Sequence, residues 1–363
     1  MYYIGLMSGT SMDALDVALV EFENKANLKF YQEYPIDPSL RKKIRSINGK
    51  SEIGHIAELD NELGHLFARA VNDLLTETNI NAEQIIAIGS HGQTILHKPN
   101  GKHATSIQIS NPNIISAETG ITTVADFRRM DMAYGGQGAP LASAFHQYQF
   151  QQNNKTTVIL NIGGIANITL LSNNDVIGFD TGPGNALLDD WIQHNQSKEY
   201  DKDSEWAREG TVNKELLNIM LSENYFALPS PKSTGREYFN LAWLNTYIKK
   251  IDSNISPADI QATLLRLSAI TISDSINASS SNINEVLICG GGAYNPNLMD
   301  SLQNLLPSID VTTTAKYGLE PDCIEAVTFA WLAKQRIEKK SSNLPSVTGA
   351  RKAILLGGIY SAN

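Results

Sequence analysis

Cysteine is nearly absent from this chain: two in 363 residues, Cys289 and Cys323. That excludes a disulfide-built scaffold, and both residues sit among apolar neighbours, which predicts buried thiols in a reducing compartment. No Cys/His spacing suits a zinc site. No apolar run reaches the roughly 18 residues needed to span a bilayer, and no basic, then apolar, leader opens the chain. The expectation is a cytoplasmic protein without signal peptide or membrane span. Positive charge is also short. The net charge of −9 argues against nonspecific nucleic-acid binding, which uses a basic face.

What is present is an ordinary globular composition, 42% apolar and 18% charged. The length predicts two domains, because single cores stop growing near ~250–300 residues. The opening stretch is the most informative. Apolar Tyr2–Met7 leads into Ser8-Gly-Thr-Ser-Met-Asp13, and a second apolar run follows from Leu15 to Val20. Strand, small-residue turn, strand is the predicted hairpin. Such a turn can gather backbone N–H groups around an anion, or it can be a plain hairpin turn. A polar connection is expected from Asn24 to Lys50, with Arg41-Lys42-Lys43 on a solvated helix face. Apolar residues from Ile56 to Leu74 recur at three and four, predicting a long helix over 53–78. Ile85–Ile88 then reads as a buried strand running into Gly89-Ser-His-Gly-Gln-Thr94. Short β runs are expected at Thr105–Ile109 and Ile121–Ala125.

The second half repeats this plan. Val158–Leu171 is again strand, Gly turn, strand. A helical pattern occupies 259–278, and Val286–Cys289 runs into Gly290-Gly-Gly-Ala293. Two related α/β lobes are the expected architecture, with the glycine loops lining a cleft. Other features admit two readings each. Arg128 and Arg129, beside Gly135-Gly-Gln-Gly138, suit an anion or sugar contact, or a structural Arg–Asp pair. Asp180, before a Gly/Pro turn, suits the general base of a kinase, or a turn cap. His91 is a turn histidine unless its loop faces a ligand. Pro229–Phe239, with Lys232 and Arg236, is either a charged lid or a surface loop. Glu325 falls in the first turn of a helix starting near Asp322, where a carboxylate suits the dipole.

Taken together, Gly5-Leu-Met-Ser-Gly-Thr-Ser-Met-Asp13, Gly89–Thr94, Gly135–Leu141, Asn161-Ile-Gly-Gly-Ile-Ala-Asn167, Phe179-Asp-Thr-Gly-Pro-Gly-Asn185, Cys289–Ala293 and Ser346-Val-Thr-Gly-Ala350 resemble the anhydro-N-acetylmuramic acid kinase family, from the first strand to the tail. One departure stands out: Ala14 occupies a position where that family usually has Gly. The resemblance implies two duplicated actin-like (ribonuclease H-like) α/β lobes with a central nucleotide cleft. Lobe I would span 1–125, with the tail 341–363 packed back on it, and lobe II would span 126–340. It implies ATP and Mg²⁺, and hydrolytic opening of 1,6-anhydro-N-acetylmuramic acid with phosphorylation of O6. The products would be N-acetylmuramic acid 6-phosphate and ADP, in peptidoglycan recycling. Asp180 would be the catalytic base. Gly9, Thr10, Ser11, Met12, Asp13, Ala14, Leu15, Asp16, Gly163, Gly164, Gly182, Gly184, Gly290, Gly291 and Gly292 would contact ATP. Glu325, Arg129 and His91 would contact the sugar. No metal ligands are assigned. A homodimer is implied, with no nucleic-acid or membrane partner. The alternatives are another sugar kinase of the same superfamily and an actin- or chaperone-like ATPase.

Overall fold

A computed structural model describes residues 1–9, 12–173, 175–230, 232–251 and 254–362. Contacts divide the chain into two units, Met1–Gln149 with Cys323–Asn363, and Phe150–Asp322.

The first unit is built on a sheet of β1 (Tyr2–Ser8), β2 (Ala14–Phe22), β3 (Ala26–Pro35), β4 (Ile85–Ser90), β7 (Thr123–Ala125) and β13 (Gly358–Tyr360), in the order β13-β7-β4-β1-β2-β3. A separate hairpin joins β5 (Gln93–Lys98) to β6 (Thr105–Ile109). The second unit carries β8 (Thr157–Ile162), β9 (Ile165–Leu171), β10 (Val176–Pro183), β11 (Glu285–Cys289) and β12 (Asp310–Thr313), in the order β10-β9-β8-β11-β12. The two sheets share one plan. The first three strands form an antiparallel meander. The fourth lies parallel to the first, and the fifth parallel to the fourth. This is the duplicated ribonuclease H-like layout.

The long helix occupies Ile53–Thr78. It buries Leu59, Leu63, Phe67, Ala70, Val71 and Leu74, and ends at Asn79 in the left-handed conformation. These side chains meet Ile4, Leu6, Val17 and Leu19 of the sheet in one core. Its counterpart in the second unit is the helix Pro257–Ser279, capped by the Ser256 side chain on Asp259 N–H. Leu264, Leu267, Ile272 and Ile276 of that helix pack on Val158, Leu160, Ile168 and Ile288.

Two glycines bring a helix unusually close to the first sheet. Gly5 of β1 and Gly89 of β4 are cross-strand partners. A Cβ on Gly5 would overlap the carbonyl oxygen of Ala326, and one on Gly89 that of Phe329. The helix Ile324–Ile337 therefore seats its backbone on both. The helix Ala142–Phe150 also belongs to this unit up to Gln149, whose Oε1 accepts the Ala26 N–H at 2.8 Å. These two attachments put the divisions at 149/150 and 322/323, where the sequence suggested 125 and 340. The tail adds β13 to the sheet, antiparallel to β7.

One element departs from expectation. Ala26–Pro35, read as part of a polar connection, is a ten-residue strand paired with β2. It lies at the sheet edge and exposes charged residues, so its alternation of Leu28, Phe30 and Tyr34 with polar neighbours is diluted. Cys289 and Cys323 are buried thiols. Among the described residues no helix is long and apolar enough to cross a membrane.

Candidate active site

In the second unit, β10 carries Asp180. The strand pairs with β9 up to Asp180 opposite Asn167, and pairing resumes at Gly182 opposite Ala166. Thr181 is the extra residue of a bulge, a device that re-aims a side chain where a ladder is interrupted. Gly182 accommodates it with φ of +149°, and a Cβ there would crowd the Phe226 ring. The Asp180 main chain is held on both sides. Its N–H donates to the Lys232 carbonyl at 3.0 Å, and its carbonyl accepts from the Tyr225 hydroxyl at 2.8 Å. Its carboxylate Oδ2 accepts the Thr234 N–H at 3.0 Å. Burial pushes the carboxyl pKa up to about 6. The Thr234 N–H works against that rise, and the nearby charge of Glu237 adds to it. The group is thus a carboxylate near neutral pH that retains appreciable proton affinity.

Other glycines of this unit have mainly architectural roles. The Gly163 carbonyl accepts from Asn185 N–H, and the Gly164 carbonyl from Gly184 and Ala186 N–H, at 2.9–3.0 Å. The β8–β9 turn thereby docks on the start of the helix Ala186–Gln196. The guanidinium of Arg236 lies against Gly164, where a Cβ would intrude on it. It faces Asp189 and Asp190 at 4.0 and 3.8 Å. Gly290 (φ +78°) turns the chain, and Gly292 packs on Ile162. Gly291 has open space on its Cβ side. Together with Asn185, Leu188, Gln261, Leu265 and Tyr294 it lines a cavity of about 420 Å³. Its wall mixes apolar and amide side chains with the charged Asp189, Asp201, Lys202 and Asp203, and suits a ring system carrying polar atoms. Asp180 is not in that lining.

In the first unit, the opening hairpin has Met12 at φ +58°, with its N–H on the Gly9 carbonyl at 3.2 Å. A Cβ on Gly9 would meet nothing within 4 Å. Thr10 and Ser11 lie outside the described residues. Asp13 pairs with Arg41 at 2.6 Å, so Arg41 is tied to the hairpin turn. Asp16 accepts the Tyr31 hydroxyl at 3.0 Å. Leu15 is fully buried in the core. Ala14 begins β2 opposite Pro35 and is not among the residues with positive φ. A glycine's conformational freedom is therefore not used at this position, and Ala14 carries no backbone strain.

His91, Arg128 and Glu325 form a linked group. Arg128 Nε and Nη2 both donate to His91 Nε2, at 3.1 and 2.8 Å, and Nη1 donates to the Gly138 carbonyl at 2.8 Å. His91 Nε2 must therefore be an acceptor, which puts the ring proton on Nδ1. That atom is buried without a hydrogen-bond partner. Burial, followed by the Arg128 charge, holds the imidazole pKa well below its usual value, so the ring is neutral. Burial lowers the Arg128 pKa to about 10, and the charge of Glu325 opposes that fall. Arg128 thus remains a cation at neutral pH. Glu325 is half-buried in the first turn of the 324–337 helix. Arg129 is exposed and bound to Asp126 at 2.7–2.8 Å. His91 and Arg129 line a second cavity, of about 200 Å³, with Asp60, Ser90, Gln108 and Ser110. It offers a neutral N–H, a cation, hydroxyls and carboxylates, which is a set able to bind hydroxyl and carboxylate groups.

Of the residues expected at a site, His91 and Arg129 line the smaller cavity of the first unit, and the charge of Glu325 acts on Arg128, which binds His91. Gly291 lines the larger cavity of the second unit. Sequence reasoning picked Arg129 over its neighbour Arg128, and missed the contact of Thr234 with Asp180. The Lys232/Arg236 loop was the only signal for that contact.

The family model for anhydro-N-acetylmuramic acid kinase matches residues 1–362. A Pasteurella multocida (strain Pm70) protein of that name is 51% identical over 365 residues, covering 99% of this chain and 97% of the relative. A Coxiella burnetii (strain RSA 493 / Nine Mile phase I) protein of the same name is 50% identical over 363 residues, with 99% and 97% covered. A Shewanella pealeana protein, also so named, is 48% identical over 367 residues, with 100% and 99% covered.

Proposed function

Since the chain belongs to the anhydro-N-acetylmuramic acid kinase family, we propose that it uses ATP and water to convert 1,6-anhydro-N-acetylmuramic acid into N-acetylmuramic acid 6-phosphate and ADP. In this reading Asp180 takes a proton from water as the oxygen bonds to C1. The C1–O6 bond breaks, and O6 bonds to the γ-phosphorus of ATP as ADP leaves. The observation that carries the assignment is the Asp180 carboxyl itself. It sits on a strand bulge, is fixed by a main-chain N–H, and is held by burial at a pKa of about 6. A base of that affinity is charged at neutral pH yet strong enough to accept a proton.

The amide- and tyrosine-lined cavity beside Gly291 is the proposed nucleoside pocket, and the Gly9–Asp16 turn the proposed phosphate contact. His91 Nδ1–H, Arg129 and Glu325 are the proposed sugar contacts. Mg²⁺ would neutralise phosphate charge when bound. Among the described residues no group of three His, Cys, Asp or Glu converges, so these residues do not make a metal site by themselves and no step is assigned through one. Homodimer formation belongs to the same reading, and sedimentation at two concentrations checks it.

Two expectations follow directly. The carboxylate form of Asp180 is the active one, so kcat should be level above about pH 6 and fall about tenfold per unit below it. A rate independent of pH between 4.5 and 7.5, roughly one and a half units to either side, would remove Asp180 from the role. Gly9→Val would fill open space at the turn and is expected to weaken ATP binding by on the order of tenfold, equivalent to about 1.4 kcal/mol. Titration calorimetry giving an unchanged Kd would place the phosphates elsewhere. The reading as a whole is tested by comparing ADP release with the anhydro sugar, N-acetylmuramic acid and N-acetylglucosamine. Turnover confined to the anhydro sugar is expected. Turnover with the free sugars would indicate a plain sugar kinase, and sugar-independent turnover an ATPase.

A further inference from the structure

Lys232 is a half-buried lysine with no carboxylate in ion-pair range among the described residues. Its Nζ donates instead to the carbonyls of Tyr225 and Phe226, at 3.2 and 3.1 Å, and lies 4.9 Å from the centre of the Tyr225 ring. Those carbonyls belong to the short helix Asn224–Ala227, whose last turn leaves acceptors that a cation can satisfy. The same Tyr225 donates its hydroxyl to the Asp180 carbonyl. The Lys232 carbonyl receives the Asp180 N–H, and two residues on the Thr234 N–H meets the Asp180 carboxylate. These contacts close a ring: Asp180, Tyr225, Lys232, Thr234 and back to Asp180.

We propose that Lys232 is a positioning residue for Asp180: its ammonium, pegged on the Tyr225 and Phe226 carbonyls, holds the 232–234 turn where the Thr234 N–H steadies the carboxylate. The inference rests on the reading of Asp180 as the base. Without the peg the turn loses its attachment to the 224–227 helix and the N–H drifts from Oδ2. The carboxylate then loses a hydrogen bond that favours its ionised form. Among the described residues, the titratable groups beside Asp180 are Tyr225 from that helix, and Lys232 and Glu237 from the loop. Only Lys232 is altered in the test.

The test is the pH profile of kcat for Lys232→Met, Lys232→Gln and Lys232→Arg in the full-length enzyme. In Lys232→Met the acidic limb should move up by about one unit, the size expected for one hydrogen bond to a charged group. Its kcat should fall about fivefold at pH 6 and about twofold at pH 7, as the carboxylate fraction falls, with KM for both substrates unchanged. Lys232→Gln keeps a neutral donor and should fall between Met and wild type. Lys232→Arg keeps charge and donors and should recover most of the wild-type profile. An unmoved limb in Lys232→Met would overturn the proposal, whether or not activity drops. So would unfolding of both Met and Gln variants with a normal Arg variant, which would make Lys232 an anchor of the fold. A wild-type profile lacking a limb near pH 6 would instead refute the base assignment beneath it.

Discussion

Asp180→Asn is expected to lower kcat by about 10²–10⁴-fold, the usual contribution of a general base, while nucleotide Kd stays at the wild-type value. Asparagine keeps the size of the side chain and still offers an oxygen to the Thr234 N–H, so the bulge and its contacts survive. What is lost is the capacity to hold a proton. Of the groups described beside it, the Glu237 carboxylate is exposed and is not held by the Thr234 N–H. The Tyr225 hydroxyl is engaged with the Asp180 carbonyl and its pKa is pushed up by burial, while Lys232 is a donor only. The remaining activity of the variant should also lose the acidic limb near pH 6. Near-normal kcat, or a retained limb, would assign the proton to another group.

The second large effect concerns stability. Asp131→Ala is expected to destabilise the first unit by about 2–5 kcal/mol, because the Gly138 N–H and one Asn343 N–H are orphaned at about 1–3 kcal/mol each, while the Thr348 hydroxyl can turn to the Leu344 carbonyl. Asp131 is fully buried. Its Oδ1 accepts from Asn343 Nδ2 and the Thr348 hydroxyl, both at 2.8 Å, and its Oδ2 from the Gly138 N–H at 2.8 Å. One carboxylate thus ties the glycine loop to the tail. The Gly138 carbonyl is also the acceptor for Arg128, which orients His91, so the loss should reach the second cavity. A melting temperature lower by roughly 10 °C is expected, with a raised KM for the sugar. Asp131→Asn, which still accepts on one oxygen, should lose less. A melting temperature within about 1 °C of wild type would mean that the tail and loop are held by their main-chain bonds alone.

Legibility in the sequence followed the range of the interactions. The helix over 53–78 was readable because every turn repeats the same apolar face. The two hairpins and the duplicated order were readable because small-residue turns punctuate buried strands. β3 was not, because an edge strand with polar outward residues has a weak alternation. Of two adjacent arginines, only the fold decides that Arg128 turns inward to His91 while Arg129 stays on Asp126. The Thr234 contact is made by a backbone N–H, which leaves no mark in residue type. Asp131 joins partners more than 200 positions away, beyond the reach of any local pattern. The reverse holds at Ala14: the family comparison raised a question about a missing glycine, and the ordinary extended backbone of β2 answers it.

The most direct test of the central claim is turnover of 1,6-anhydro-N-acetylmuramic acid and ATP in ¹⁸O-labelled water, with the phosphorylated product weighed by mass spectrometry at early times. One ¹⁸O is expected in the sugar phosphate, located at C1, and none in the phosphate group, because water attacks carbon and O6 receives the phosphoryl. A sugar phosphate without ¹⁸O at early times, or label found in inorganic phosphate instead, would mean that water does not add at C1, which contradicts the role given to Asp180.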